Sequence, residues 1–231
     1  MTDELNLGLV DRDGALQEAI AGLHGDTRAD FLRRAVLGGG ALLAAAAAAP
    51  ADAEAASRAR DRRILNFFLA FEHLQVAFYG EVAALKVLRG ELDRQARVVG
   101  SHERAHVVAL RDAVGRGAVR AGRYDFRGAT EDPERFRRTA VAFEDLTTAA
   151  LQGQTPRLAS PAIIAAAVSI LTVEARHAAW IRRLAGAHPP ARAFDEPVPL
   201  AQVTEIVDKT HFVVRQGVRT RSRRRGPRFT G

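Results

Sequence analysis

The chain has no cysteine. That excludes disulfides, thiolate metal sites and a cysteine nucleophile, and it leaves the redox compartment open. Lysine is nearly missing too. Lys86 and Lys209 are the only two, so almost all of the 34 basic residues are Arg. Aromatic residues make up 6% of the chain, with one Trp and two Tyr. Ala and Leu abound instead, a balance that favours packed helices over sheet. One uncharged apolar stretch, residues 35–49, covers 15 residues. It is too short and too weakly apolar for a comfortable transmembrane helix. What is present is 231 residues, 47% of them apolar, enough for one sizeable domain plus tails. The formal charge is +7. Such an Arg-rich surface either meets polyanions or reflects plain solubility and a biased genome.

Residues 1–30 are polar and mixed. Arg33 and Arg34 then stand directly before the apolar stretch, and small-x-small sites follow at Ala51-Asp52-Ala53 and Ala53-Glu54-Ala55. Paired Arg, apolar run and cleavage site come in the order of a secretion signal. The segment resembles a twin-arginine export signal, although the polar stretch ahead of the Arg pair is unusual. Export would place the protein in the periplasm, cell envelope or extracellular space and make the twin-arginine translocase a partner. The alternative is an uncleaved Ala-rich helix or linker in a cytoplasmic protein.

Helical periodicity begins after this segment. Leu65, Phe68, Leu69, Val76 and Ala83 predict a first helix over about Ser57–Leu88, with Glu72 and Tyr79 on the same stripe. Gly90 separates it from a second, about Glu91–Val114, whose stripe includes Ala96, Val99, Glu103, His106, Val107 and Leu110. Gly115 and Gly117 end that helix. Residues 116–131 are loop-like and longer than the usual link between antiparallel neighbours. They suit a crossover along a bundle. Asp132-Pro133 starts a third helix with a capping side chain and a first-turn proline. It runs to Leu151 with Phe136, Ala140, Val141, Glu144 and Thr148 inward, and Gly153 and Pro156 mark a break over 152–158. Ser160-Pro161 starts a fourth helix, to about Ala185, stopped by Gly186 and Pro189-Pro190. A shorter fifth spans about Leu200–Val214, with Val203, Ile206, Val207 and Val214 apolar. Residues 219–231 hold six Arg, and composition predicts no packed structure there. The expected organisation is a polar segment and signal over 1–55, an all-α four-helix bundle over 56–190, a C-terminal helix over 191–216 and an Arg-rich tail over 217–231.

The chemistry sits in one repeated pattern. Glu174 and His177 lie three residues apart, Glu103 and His106 repeat the spacing, and no other Glu has a His three residues on. On a helix such pairs share a face. Around Glu174 that face carries Ala167, Ile170 and Leu171 before, and Ala178, Ile181 and Leu184 after. A charge on an apolar face is costly unless it is paired or bound to metal. Each pair has a Glu upstream in matching context, Ala70-Phe71-Glu72-His73-Leu74 and Ala142-Phe143-Glu144-Asp145-Leu146. The gap to the paired Glu is 31 residues in the first case and 30 in the second. The chain therefore reads as two copies of one helical hairpin, each supplying Glu…Glu-x-x-His. Four carboxylates balance two divalent cations; without metal, a buried cluster of like charges must bind protons or admit water. Oxygen and imidazole ligands suit Fe or Mn, and the lack of thiolate argues against structural zinc. Inward polar residues that hold no metal are the alternative.

Four helices with one long crossover and this residue set resemble the ferritin-like di-iron or di-manganese carboxylate bundles. The resemblance covers residues 57–186. It points to exported bacterial ferritin-like domain proteins and, more distantly, to rubrerythrin, bacterioferritin and manganese catalase. It implies two Fe or two Mn ions as cofactors. By motif, Glu103 and Glu174 would bridge the two metals, His106 and His177 would each bind one, and Glu72 and Glu144 would be terminal ligands. Tyr79, two turns beyond Glu72, is read as a hydrogen-bonding neighbour of the site, a redox-active phenol or a plain core residue. Rubrerythrins carry a cysteine-bound iron for electron transfer, and this chain has no Cys. Electrons would have to come from the substrate or an external donor. His73 and His102, next to ligand positions in sequence, are expected to point off the site, and Glu81 to be solvated.

Three functions fit these readings. One is a dinuclear metal oxidoreductase acting on dioxygen, peroxide or ferrous ion. The second is metal binding or storage. The third is a non-catalytic, stress-protective envelope scaffold. The partners implied are a small-molecule oxidant or metal ion, a second copy of the chain in a homodimer, and an anionic envelope polymer or lipid held by the Arg tail. Nucleic acid is disfavoured by the export signal.

Overall fold

The computed structural model describes residues 51–189 and 193–214. The twin-arginine-type segment and the Arg-rich tail lie outside the described residues. Five helices follow in order: α1, Ala51–Leu85; α2, Gly90–Val114; α3, Pro133–Gln154; α4, Pro161–Leu184; and α5, Leu200–Thr210. Among the described residues the only extended pairing is an isolated bridge between Tyr124 and Val213.

Local chemistry sets the helix ends. Asp132 caps α3, its Oδ1 accepting from Glu134 N at 3.0 Å and Arg135 N at 2.9 Å; such a cap contributes about 1 kcal/mol. Ser160 precedes α4, with Pro161 in the first turn. Gly115 closes α2 at φ 72°, a left-handed conformation that only glycine adopts without strain. The connection into α4 is held from a distance. Asp61, buried on α1, accepts from Ala159 N at 2.9 Å and Ser160 N at 3.0 Å.

α1 packs chiefly on α2, and α3 on α4, so the bundle is two hairpins laid together. Two apolar clusters fill it. In one, Ile64, Leu65, Leu69, Leu110, Val114, Leu151 and Ile170 meet. In the other, Phe71, Phe78, Val82, Leu92, Val99, Phe136, Phe143 and Ile181 meet. The end of α2 thus lies in the first cluster and the start of α3 in the second. Residues 118–132 must therefore traverse the bundle lengthwise, the expected crossover. Asn66 ties down its start, donating to Gly117 O and accepting from Val119 N, both at 2.9 Å. Phe126 pins its far end, 5.3 Å from the Phe78 ring. Phe78 also meets Phe136, stacked at 5.2 Å, and Phe143, edge to face at 5.1 Å. Each such pair adds about 0.5–1.5 kcal/mol beyond its buried area.

Several expected boundaries shift. α1 already runs through Ala51–Ala55, so the expected cleavage region is helical here, and it ends at Leu85 rather than Leu88. Ala83 is exposed; the buried stripe is instead carried on by Phe71, Leu74, Phe78 and Val82. Gly153 does not break α3 but lies inside it. A Cβ there would come within 2.8 Å of Val198 O, so the glycine admits the backbone of the segment before α5. Val198 N donates to Ala149 O at 3.0 Å in that same contact. α5 is shorter than expected: it stops at Thr210, because His211 turns left-handed at φ 55°. The chain then bends back to the crossover, with Asp125 N donating to Phe212 O at 2.9 Å and Val214 N to Arg123 O at 2.8 Å. Of the expected apolar face, Val203 is fully buried, whereas Ile206 and Val214 are exposed.

Candidate metal centre

The six candidate residues meet between the two apolar clusters, one Glu from each of the four long helices and one His from α2 and one from α4. Glu72, Glu103, Glu144 and Glu174 are each 0–1% exposed, and His106 and His177 are 5% and 3%. They form two overlapping groups: Glu72, Glu103, His106 and Glu174, and Glu103, Glu144, Glu174 and His177. In each group the potential ligand atoms all lie within 4.8 Å of one another. Glu103 and Glu174 belong to both.

Both imidazoles turn Nδ1 toward the carboxylates. His106 Nδ1 lies 3.1 Å from Glu103 Oε2, 2.9 Å from Glu174 Oε1 and 3.7 Å from Glu72 Oε1. His177 Nδ1 lies 3.1 Å from Glu103 Oε1, 3.4 Å from Glu174 Oε2 and 3.5 Å from Glu144 Oε2. Only the contacts of each His with its own helix's Glu have hydrogen-bond geometry. As a result one oxygen of every carboxylate is buried without a hydrogen bond: Glu72 Oε2, Glu103 Oε1, Glu144 Oε2 and Glu174 Oε1. Burying an ionised carboxylate costs several kcal/mol even after relaxation. Four orphaned acceptors at one point are what a cation would satisfy, and carboxylate plus imidazole is the donor set that hard or borderline divalent ions take. The residues fit a metal-binding site for divalent cations.

The protonation pattern says the same. Burial alone would lower the pKa of His177, but Glu103, Glu144 and Glu174 around it more than reverse this and push it up to about 12. His106 is held up likewise, against burial, by Glu103, Glu174 and Glu72. Burial raises Glu72 far above the usual carboxylate range, and the charge of Glu103 adds to it. Burial also raises Glu144, to about 8, against the pull of His177. Glu103 goes the other way: burial works against its charge, but the close approach of His106, His177 and Glu72 holds it well below the usual range. Protons on the imidazoles and the outer carboxyls thus do part of the work that cations could do.

Two neighbours complete the site. Tyr79 is buried and its hydroxyl donates to Glu144 Oε1, on the opposite hairpin rather than beside Glu72. A Cβ on Gly100 would sit 2.9 Å from Tyr79 Cβ, so that glycine admits the tyrosine. His102 corrects an expectation. It does not point off the site: its Nδ1 lies 2.8 Å from His177 Nε2, with the rings stacked 5.0 Å apart. Adjacency to Glu103 placed it off the face, but α2 packs against α4 and His177 lies within reach of that flank. The missed signal was spacing, because His102 and His106 are four residues apart and share a side of the helix. His73 is half-buried and Glu81 is exposed, though Glu81 accepts from Thr130 Oγ1. Gln75, three residues after Glu72, is also fully buried, and it donates to Thr147 Oγ1 at 3.1 Å.

No curated protein matches the chain. The ferritin-like domain family matches residues 60–187, which span α1 from its third turn to the end of α4 and include all six clustered residues. A bundle of two helical hairpins joined by a lengthwise crossover, with the matched segment covering more than half of the chain, places this protein in the ferritin-like domain family.

Proposed function

We propose that this chain is an exported dinuclear Fe or Mn oxidoreductase acting on dioxygen, peroxide or ferrous ion. The observation that carries the reading is the double membership of Glu103 and Glu174. Two ligand groups that share two carboxylates would hold two ions next to one another rather than at separate sites. Glu103 and Glu174 would bridge, Glu72 and His106 would complete one position, and Glu144 and His177 the other. A pair of ions held by these residues would supply redox chemistry toward dioxygen, peroxide or ferrous ion. The chain's own residues do the rest. The apolar clusters above and below exclude water and raise the strength of every charge interaction within. Export rests on the order of Arg pair, apolar run and small-x-small sites in the sequence.

An assay of ferrous oxidation, oxygen uptake and peroxide loss tests the reading on full-length protein loaded with Fe or Mn. At least one of the three should run well above the metal in buffer and vanish in Glu103→Ala and Glu174→Ala. Protein that carries two ions and accelerates none of them would overturn the enzymatic reading and leave storage or scaffolding.

A further inference from the structure

The surroundings of the two positions differ. At the Glu144–His177 position, both outer ligands are held from behind. Tyr79 donates to Glu144 Oε1, which leaves Oε2 as the oxygen facing the cluster. His102 Nδ1 lies 2.8 Å from His177 Nε2. If Nδ1 of His177 is to bind a cation, the ring's remaining proton must sit on Nε2, and His102 Nδ1 is then its acceptor. At the Glu72–His106 position the described residues show no such support. His106 bonds through Nδ1 to Glu103, and Glu72 Oε2 is buried without a hydrogen-bond partner. The sequence shows why. Counted from the Glu of each hairpin, the place of Tyr79 is taken by Leu151 and that of His102 by Val173. Neither can hydrogen-bond through its side chain. The Gly100 that makes room for Tyr79 is likewise replaced by Leu171.

We infer that the two positions are inequivalent: Tyr79 and His102 are positioning residues that make Glu144–His177 the tight position, filled first, and leave Glu72–His106 the weaker, exchangeable one. The inference rests on the dinuclear reading above. A ligand already oriented loses less freedom when it binds. Loss of such outer partners typically lowers metal affinity about 10–100-fold.

The test is titration of the full chain with Co2+, followed by calorimetry and by visible absorption. Wild type should bind in two steps separated by about tenfold or more. Glu144→Ala should remove the tight step and Glu72→Ala the weak one. Tyr79→Phe keeps the ring and its packing but loses the hydroxyl. It should weaken the tight step about 10–100-fold and spare the other. His102→Leu should do the same, and His102→Asn, which keeps an acceptor where Nδ1 stands, should restore most of the loss. Circular dichroism confirms that each variant is folded, and Tyr79→Phe decides the matter if His102→Leu is not. Two equal steps in wild type, or a loss in Tyr79→Phe that falls on the weak step, would overturn the inference while leaving the dinuclear reading intact. Absence of any stoichiometric Co2+ binding by wild type would overturn both.

Discussion

Gln75 Nε2 donates to Thr147 Oγ1 at 3.1 Å, and the two residues hold matching places, three positions after Glu72 and three after Glu144. Phe71 and Phe143, one position before those same Glu, meet edge to face at 5.9 Å. α1 and α3 therefore oppose like positions, and the carboxylates they carry enter the cluster from facing sides.

Removing a shared carboxylate should accordingly cost more than removing an outer one. Glu103→Ala or Glu174→Ala should abolish binding of both ions, whereas Glu72→Ala should weaken mainly one. Metal counted per chain after dialysis checks this. Two ions retained by both shared-ligand variants would show that the bridging assignment is wrong.

Glu144 gives a pH prediction for the protein kept free of metal with chelator. Its folded pKa is raised from 4.5 to about 8. Between those values the unfolded chain has lost the proton and the folded chain keeps it. Stability of the metal-free protein therefore falls with rising pH through this window, by at most about 1.4 kcal/mol per pH unit from this group. Glu144→Gln is neutral at every pH and lacks that slope. The gap between variant and wild type in denaturant should shift in the variant's favour from pH 5 to pH 8. An unchanged gap would mean that Glu144 is ionised throughout.

Two helix glycines should respond to alanine with opposite signs. Gly80 has nothing within 4 Å of an added Cβ. Gly80→Ala should stabilise by about 0.5–1 kcal/mol through helix propensity and loss of chain freedom in the unfolded state. Gly100→Ala gains the same propensity but drives a Cβ to 2.9 Å from Tyr79 Cβ. Overpacking of about 1–3 kcal/mol should outweigh the gain. Urea midpoints of the two variants check the contrast, and stabilisation by both would contradict the packing described.

Asp61 should matter for stability although it lies outside the cluster. It is 3% exposed and accepts two backbone N–H groups at the entry to α4. Asp61→Ala should cost about 2–3 kcal/mol and Asp61→Asn, which keeps one acceptor, about half of that. A loss below about 0.5 kcal/mol in chemical denaturation of Asp61→Ala would remove the residue from this role.

The helices were legible because their punctuation is local. Asp132-Pro133, Ser160-Pro161 and Gly115 act on their own turns, so the ends they mark are close to those observed. The role of Gly153 is not legible in its own turn, because its reason is tertiary: Val198 passes against it. α5 was overextended because apolar spacing continues past Thr210, while the chain leaves the helix to meet the crossover. The six converging residues were visible as polar positions on apolar stripes at fixed spacing. Their neighbours were less so. Tyr79 reaches across to α3, which the periodicity of a single helix does not report, whereas the four-residue spacing to His106 places His102 on the side of α2 near the site.

The most direct test of the central claim is elemental analysis of protein purified from its native host, with Fe and Mn counted per chain. The account predicts close to two ions per chain, of Fe or Mn, lost together in Glu103→Ala. Folded, helical protein that holds no stoichiometric metal even after reconstitution would contradict it, and would leave the buried Glu and His residues as polar packing.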